Sequence, residues 1–109
     1  MITCFIRYEI DPNKIDAFER YAQAWGQAIP RCGADLVGYY APHEGSATTA
    51  YAVYNIDSLA AYEAYRARLR ADPVGRENFE FAKVQGFIQR EDRIFLRQVS
   101  APHGTLIQT

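Results

Sequence analysis

The chain has 109 residues, 49% of them hydrophobic and 23% charged, a balance that excludes both an intrinsically disordered chain and one built around lipid. Twelve Lys plus Arg against thirteen Asp plus Glu leave a formal charge of -1. With no basic excess to neutralise phosphates or an anionic bilayer, neither nucleic acid nor membrane is an expected partner.

Residues 2 to 10 alternate, with Ile2, Cys4, Ile6, Tyr8 and Ile10 on one side at period two, which predicts a strand with one strongly apolar face. Asp11-Pro12 is a cap followed by a proline suited to a first helical turn. A helix is expected from there, with Ile15, Phe18, Ala22, Trp25 and Ile29 forming its apolar stripe, Pro30 interrupting near its end and Gly33 stopping it. Leu36 to Ala41 and Ala50 to Ile56 read as a hairpin around the turn cluster Pro42 to Ser46. Asp57-Ser58 caps a second helix whose buried side is expected to be Leu59, Tyr62, Tyr65 and Leu69. Asp72-Pro73 repeats the cap-plus-proline signature, so a shorter helical stretch is expected from Val74 towards Gln85, ended by Gly86. Phe87 to Val99 is the last strand, which gives a domain over residues 1–99 and a tail over 100–109.

The order β-α-β-β-α-β is the split βαβ plan of a ferredoxin-like α+β sandwich, an antiparallel four-stranded sheet with its helices on one face. Nothing in the chain covers the other face. There the first strand presents Thr3, Phe5, Arg7 and Glu9, the third Tyr51 and Val53 or their neighbours, and the last Phe87, Phe95 and Val99 mixed with Gln89 and Arg93. A surface this aromatic suits a second copy of the chain, so a homodimer is expected.

The opening Met1-Ile-Thr-Cys-Phe-Ile-Arg-Tyr-Glu-Ile-Asp-Pro, the segment Gly38-Tyr-Tyr-Ala-Pro-His-Glu-Gly45 and the helix Ser58-Leu-Ala-Ala-Tyr-Glu-Ala-Tyr-Arg-Ala-Arg68 resemble the NIPSNAP family of small bacterial proteins, over roughly residues 1–99. The resemblance implies the dimeric α+β barrel superfamily, in which two ferredoxin-like units pack sheet against sheet. That superfamily includes cofactor-free monooxygenases, lactone isomerases, aldoxime dehydratases and haem-handling enzymes, and no motif here selects among those chemistries.

The topology returns the hairpin tip to the end of the first strand, which predicts a neighbourhood of Tyr8, Tyr40, His43, Phe18 and Arg90 in a cleft between helices and sheet. His43 has two readings, a general base near neutral pH or a solvent-facing turn residue. Tyr8 and Tyr40 are the polar anchors of the expected substrate site, with Phe18 and Arg90 beside them. Trp25 reads as core, and Glu44 and the Arg66, Arg68 and Arg70 run as solvated surface. His103, in the tail, reads as disordered or as a partner contact. Cys4 and Cys32 have no metal spacing and read as buried thiols of a cytoplasmic protein; no leader sequence is recognisable in residues 1–10. No metal is implied by HExxH, no nucleotide by a glycine-rich loop and no acyl chemistry by GxSxG, so no cofactor is expected. Two functions stay open: a small-molecule enzyme of cofactor-independent oxygenase or isomerase type, with aromatic molecules among the substrates open to it, and a non-catalytic binding or structural homodimer.

Overall fold

Alternation along the first strand survives in full: in the computed structural model, which describes residues 1–100 and 102, β1 (Ile2–Ile10) buries Cys4, Ile6, Tyr8 and Ile10. Most of the expected tail, with His103, lies outside the described residues. Asp11 accepts a hydrogen bond from the Asn13 amide, and a short 3-10 turn leads into α1 (Ile15–Arg31). This helix carries Pro30 within its last turn, and Gly33, at a φ of 108°, turns the chain into β2 (Asp35–Tyr40). β3 (Thr49–Ile56) follows, then α2 (Leu59–Ala71), capped by the Ser58 hydroxyl, and α3 (Pro73–Gln85), capped by Asp72 and closed by a left-handed Gly86. α3 is as long as α2, not shorter. β4 (Ile88–Leu96) completes a sheet of order β2-β3-β1-β4, all neighbours antiparallel.

The three helices cover one face of the sheet, and the core lies between. Phe18, Tyr21, Trp25, Ala28 and Ile29 of α1 pack onto the inward residues of β1 and β3, with Tyr65 and Leu69 from α2. Leu59 is 60% exposed, so the buried side of α2 begins a turn later than its spacing predicts. The buried Asn78 of α3 donates its side-chain N–H to the Tyr21 carbonyl, which ties α3 to α1. At Gly75 any side chain would collide with the Leu69 carbonyl, so the junction of α2 and α3 needs a glycine.

The uncovered face differs from the expectation on β4. Register pairs Ile94 with Phe5 and Asp92 with Arg7, which places Arg90, Asp92, Ile94 and Leu96 outward; Phe95 and Arg93 point under the helices. Phe87, with no exposure at all, is core. Across the open face Val53, Phe5 and Ile94 form one apolar row, with the Phe5 and Tyr51 rings 5.4 Å apart beside it.

Asp72 holds α1 to α3: Arg31 donates to both its carboxylate oxygens, at 2.9 and 2.7 Å. Those bonds, with the Gly75 amide, lower the Asp72 pKa to about 2. A carboxylate whose pKa is lower in the folded chain stabilises the fold above about pH 4, and that contribution is lost as the pH falls towards about 2. Asp72→Asn keeps a cap oxygen and loses the ion pair. Its melting temperature is expected to fall below the wild type's at pH 7, and the gap to close on acidification.

Candidate functional site

A β-bulge decides what faces the helices. In β2, Leu36 pairs with Tyr54 and Gly38 with Val53, so Val37 is an extra residue and the alternation reverses after it. Tyr39 therefore points inward and Tyr40 outward, the opposite of the sequence expectation. The hydroxyls of Tyr8 and Tyr39 meet at 3.1 Å with their rings stacked. From α1, Tyr21 stands edge-on to both rings, and Trp25, one helical turn further on, packs edge to face against Tyr21 at 5.7 Å. Tyr54 of β3 and Tyr65 of α2 complete the aromatic wall, their ring centroids 5.3 Å apart.

These five tyrosines and Trp25 line a cavity of about 190 Å³ between helices and sheet. Its charged end comes from β4. Arg93 donates to the Tyr62 hydroxyl and to the Glu91 carboxylate, each at 2.7 Å, and both Arg93 and Glu91 line the cavity. Burial opposes the Arg93 charge, but Glu91 beside it leaves the guanidinium pKa above its ordinary value. Burial also pushes the phenol pKa values of Tyr8, Tyr21, Tyr39, Tyr54 and Tyr65 upward. These hydroxyls therefore stay protonated near neutral pH and serve as hydrogen-bond donors and acceptors, not as bases.

Among the described residues, two buried side-chain nitrogens have no hydrogen-bond partner, Trp25 Nε1 and Arg93 Nε. The indole N–H lies near enough to Tyr21 to favour its phenolate slightly, yet its geometry is not that of a hydrogen bond. Both nitrogens belong to side chains that wall the cavity.

Of the residues singled out in the sequence, Tyr8 lines this cavity. Phe18 has no exposed surface and sits behind Tyr8 and Phe87 in the core. The other three are on the opposite face. His43 is an exposed turn residue that borders, with Arg7, Tyr40 and Tyr51, an open depression of about 390 Å³. Tyr40 is 50% exposed, and Arg90 pairs with Asp92 at 2.9 Å on the surface. The expected meeting of His43 with Tyr8 under the helices thus fails on strand parity: the connection after Tyr40 leaves the sheet from its outer side. Trp25, read as core, is both core and cavity wall. Tyr21, Tyr39, Tyr54, Tyr65, Glu91 and Arg93 were missed. The available signal was the number of tyrosines at inward positions, since a core built only for packing prefers phenylalanine or leucine.

Among the described residues, no group of three or more His, Cys, Asp or Glu could hold a metal ion, and no helix is long and apolar enough to cross a membrane.

A ferredoxin-like α+β sandwich with a tyrosine-walled cleft between helices and sheet is the class of protein these features define. The chain belongs to the NIPSNAP family, whose family model matches residues 3–102. Among solved structures it is similar to a NIPSNAP family protein of unknown function from Agrobacterium tumefaciens, 20% identical with a TM-score of 0.77, covering 98% of this chain and 94% of that one. An uncharacterised NIPSNAP domain protein from Burkholderia xenovorans is 22% identical with a TM-score of 0.72, over 96% of this chain and 99% of that one. A Nitrosomonas europaea protein provisionally named an antibiotic biosynthesis monooxygenase shares the fold at a TM-score of 0.70 and 9% identity, over 91% and 99% of the two chains. No curated protein matches the chain.

Proposed function

We propose that this NIPSNAP protein is a homodimer that binds a small ring-shaped organic molecule in the cavity between helices and sheet. It takes a proton from that molecule, as an isomerase that returns the proton at another atom, or as a cofactor-independent oxygenase in which the deprotonated molecule gives its electrons to O2. The cavity is the observation that carries this reading. A half-open cleft of about 190 Å³ leaves the side chains along its walls without the packing partners they would have in a filled core. The phenol hydroxyls around it add polar groups that a structural core has no need to bury. A bound ligand offsets both.

Protonated phenols and a guanidinium are the groups that steady a developing enolate or phenolate oxygen. Glu91, paired with Arg93, is the carboxylate at the cavity that can take the proton. An oxygenase without cofactor needs an electron-rich phenol or enol as its own electron source, and an aromatic wall favours such a substrate. The fold shared with the Nitrosomonas protein supports that branch. A second reading, a non-catalytic binding dimer, is favoured by the position of His43 on the far side of the sheet from the cavity. The balanced charge and the two free, buried thiols support a cytoplasmic protein that engages neither nucleic acid nor membrane.

Ala82 of α3 also lines the cavity, and Ala82→Leu fills part of it. In a thermal-shift titration with simple phenols, the wild type is expected to gain several degrees. Ala82→Leu is expected to lose that gain while its own stability stays within about 1 kcal/mol of the wild type's. His43→Ala keeps the full response. A response lost in His43→Ala and kept in Ala82→Leu puts the site at the hairpin end instead.

A further inference from the structure

Resting on that cavity reading, we infer that the ligand is a single-ring aromatic carboxylate whose oxygens accept hydrogen bonds from Trp25 Nε1 and Arg93 Nε. The first support is the donor count. A buried N–H without an acceptor is costly and rare in folded proteins. Here two such groups belong to side chains that line one cavity, and Trp25 is only 3% exposed. Each nitrogen can donate and neither can accept. The Tyr8 and Tyr39 hydroxyls use one hydrogen between them, which leaves one O–H of the pair to give. These N–H and O–H groups have no acceptor of their own, the Glu91 carboxylate at the same cavity being bonded to Arg93, and the group complementary to them is one that only accepts.

Charge selects among acceptors. Arg93 gives one N–H of each terminal nitrogen, to Tyr62 and to Glu91, and Nε is its one nitrogen with no partner. Glu91 is 32% exposed and its charge is screened by solvent, whereas Nε is buried. A hydrogen bond from a guanidinium to a carboxylate is roughly twice as strong as one to a neutral carbonyl. Size and shape fix the rest. An apolar cavity of about 150 Å³ takes one benzene, so about 190 Å³ takes one ring with a small planar substituent. The ring meets Trp25 and Tyr65 among edges and faces suited to aromatic packing.

Calorimetric titration of the full chain with benzoate, benzamide and benzylamine separates the possibilities. Benzoate is expected to bind at least about tenfold more tightly than benzamide, with benzylamine weakest. Trp25→Phe removes the indole N–H and Arg93→Lys the guanidinium Nε–H, and each is expected to weaken benzoate by about fivefold or more. Should either variant fail to fold, the wild-type ranking of the three probes decides alone. Benzamide or benzylamine binding as tightly as benzoate overturns the carboxylate inference and leaves the cavity reading standing. No binding by these three probes, with a thermal shift from phenols, does the same. No response to any ring compound overturns both.

Discussion

Phe5→Asp is expected to leave the proposed homodimer, of near twice 12.4 kDa, as a monomer, with a dissociation constant raised roughly a thousandfold or more. Phe5 lies in the middle of the apolar row Val53, Phe5 and Ile94 on the face the helices leave open, where Val37, Ile94 and Leu96 are each close to half exposed or more. A sheet face of that composition is stabilised by meeting its own copy, and a two-fold interface repeats every residue, so one substitution acts twice. Each copy would lose the burial of a phenyl ring and gain a carboxylate with no partner, worth roughly 2 kcal/mol or more apiece. The helical side of the sheet is untouched, so circular dichroism should report a folded chain. Light scattering of the wild type at micromolar concentration checks the premise; a single-chain mass there contradicts sheet-to-sheet pairing.

Phe18→Ala is expected to lose about 3–5 kcal/mol of stability, a fall in melting temperature of roughly 15 °C or more for a domain of this size. Phe18 has no exposed surface and packs its ring against Tyr8, Tyr21, Tyr39 and Phe87 at centroid distances of 5.3 to 6.3 Å. Its ring supports the cavity wall from behind and is absent from the lining. A residue that touched ligand alone would behave otherwise, with weaker binding and an almost unchanged melting temperature. Thermal unfolding followed by far-ultraviolet circular dichroism separates the two.

The element order, both helix caps with proline, and the parity of β1 were legible because each rests on local chemistry, whereas the two faces of β3 stayed open. Ile2 to Ile10 alternates cleanly, and Ser58 and Asp72 cap the helices they precede. The site was less legible, for two physical reasons. A single extra residue, Val37, reverses the alternation of β2, and period two carries no marker of such a bulge except the neighbouring Gly38. That one residue exchanged Tyr39 for Tyr40, and with it moved the expected cluster around His43 to the wrong side of the sheet. On β4 the run Gln89 to Arg93 is almost wholly polar, so neither face looked buried. A second irregularity, between Glu9 and Ile10, shifts the pairing at the start of that strand. Only register against β1 shows that Glu91 stands beside Tyr8 and Arg93 beside Ile6, under the helices.

Ligand is expected to enter the cavity beneath the helices and not the depression beside His43. Trp25 is the only tryptophan of the chain, so a proton–nitrogen correlation spectrum contains one indole N–H signal, and it belongs to the cavity wall. Titration of the labelled protein with benzoate is predicted to move that signal saturably, with the imidazole resonances of His43 unchanged; saturable movement of His43 with a stationary Trp25 signal would contradict the account.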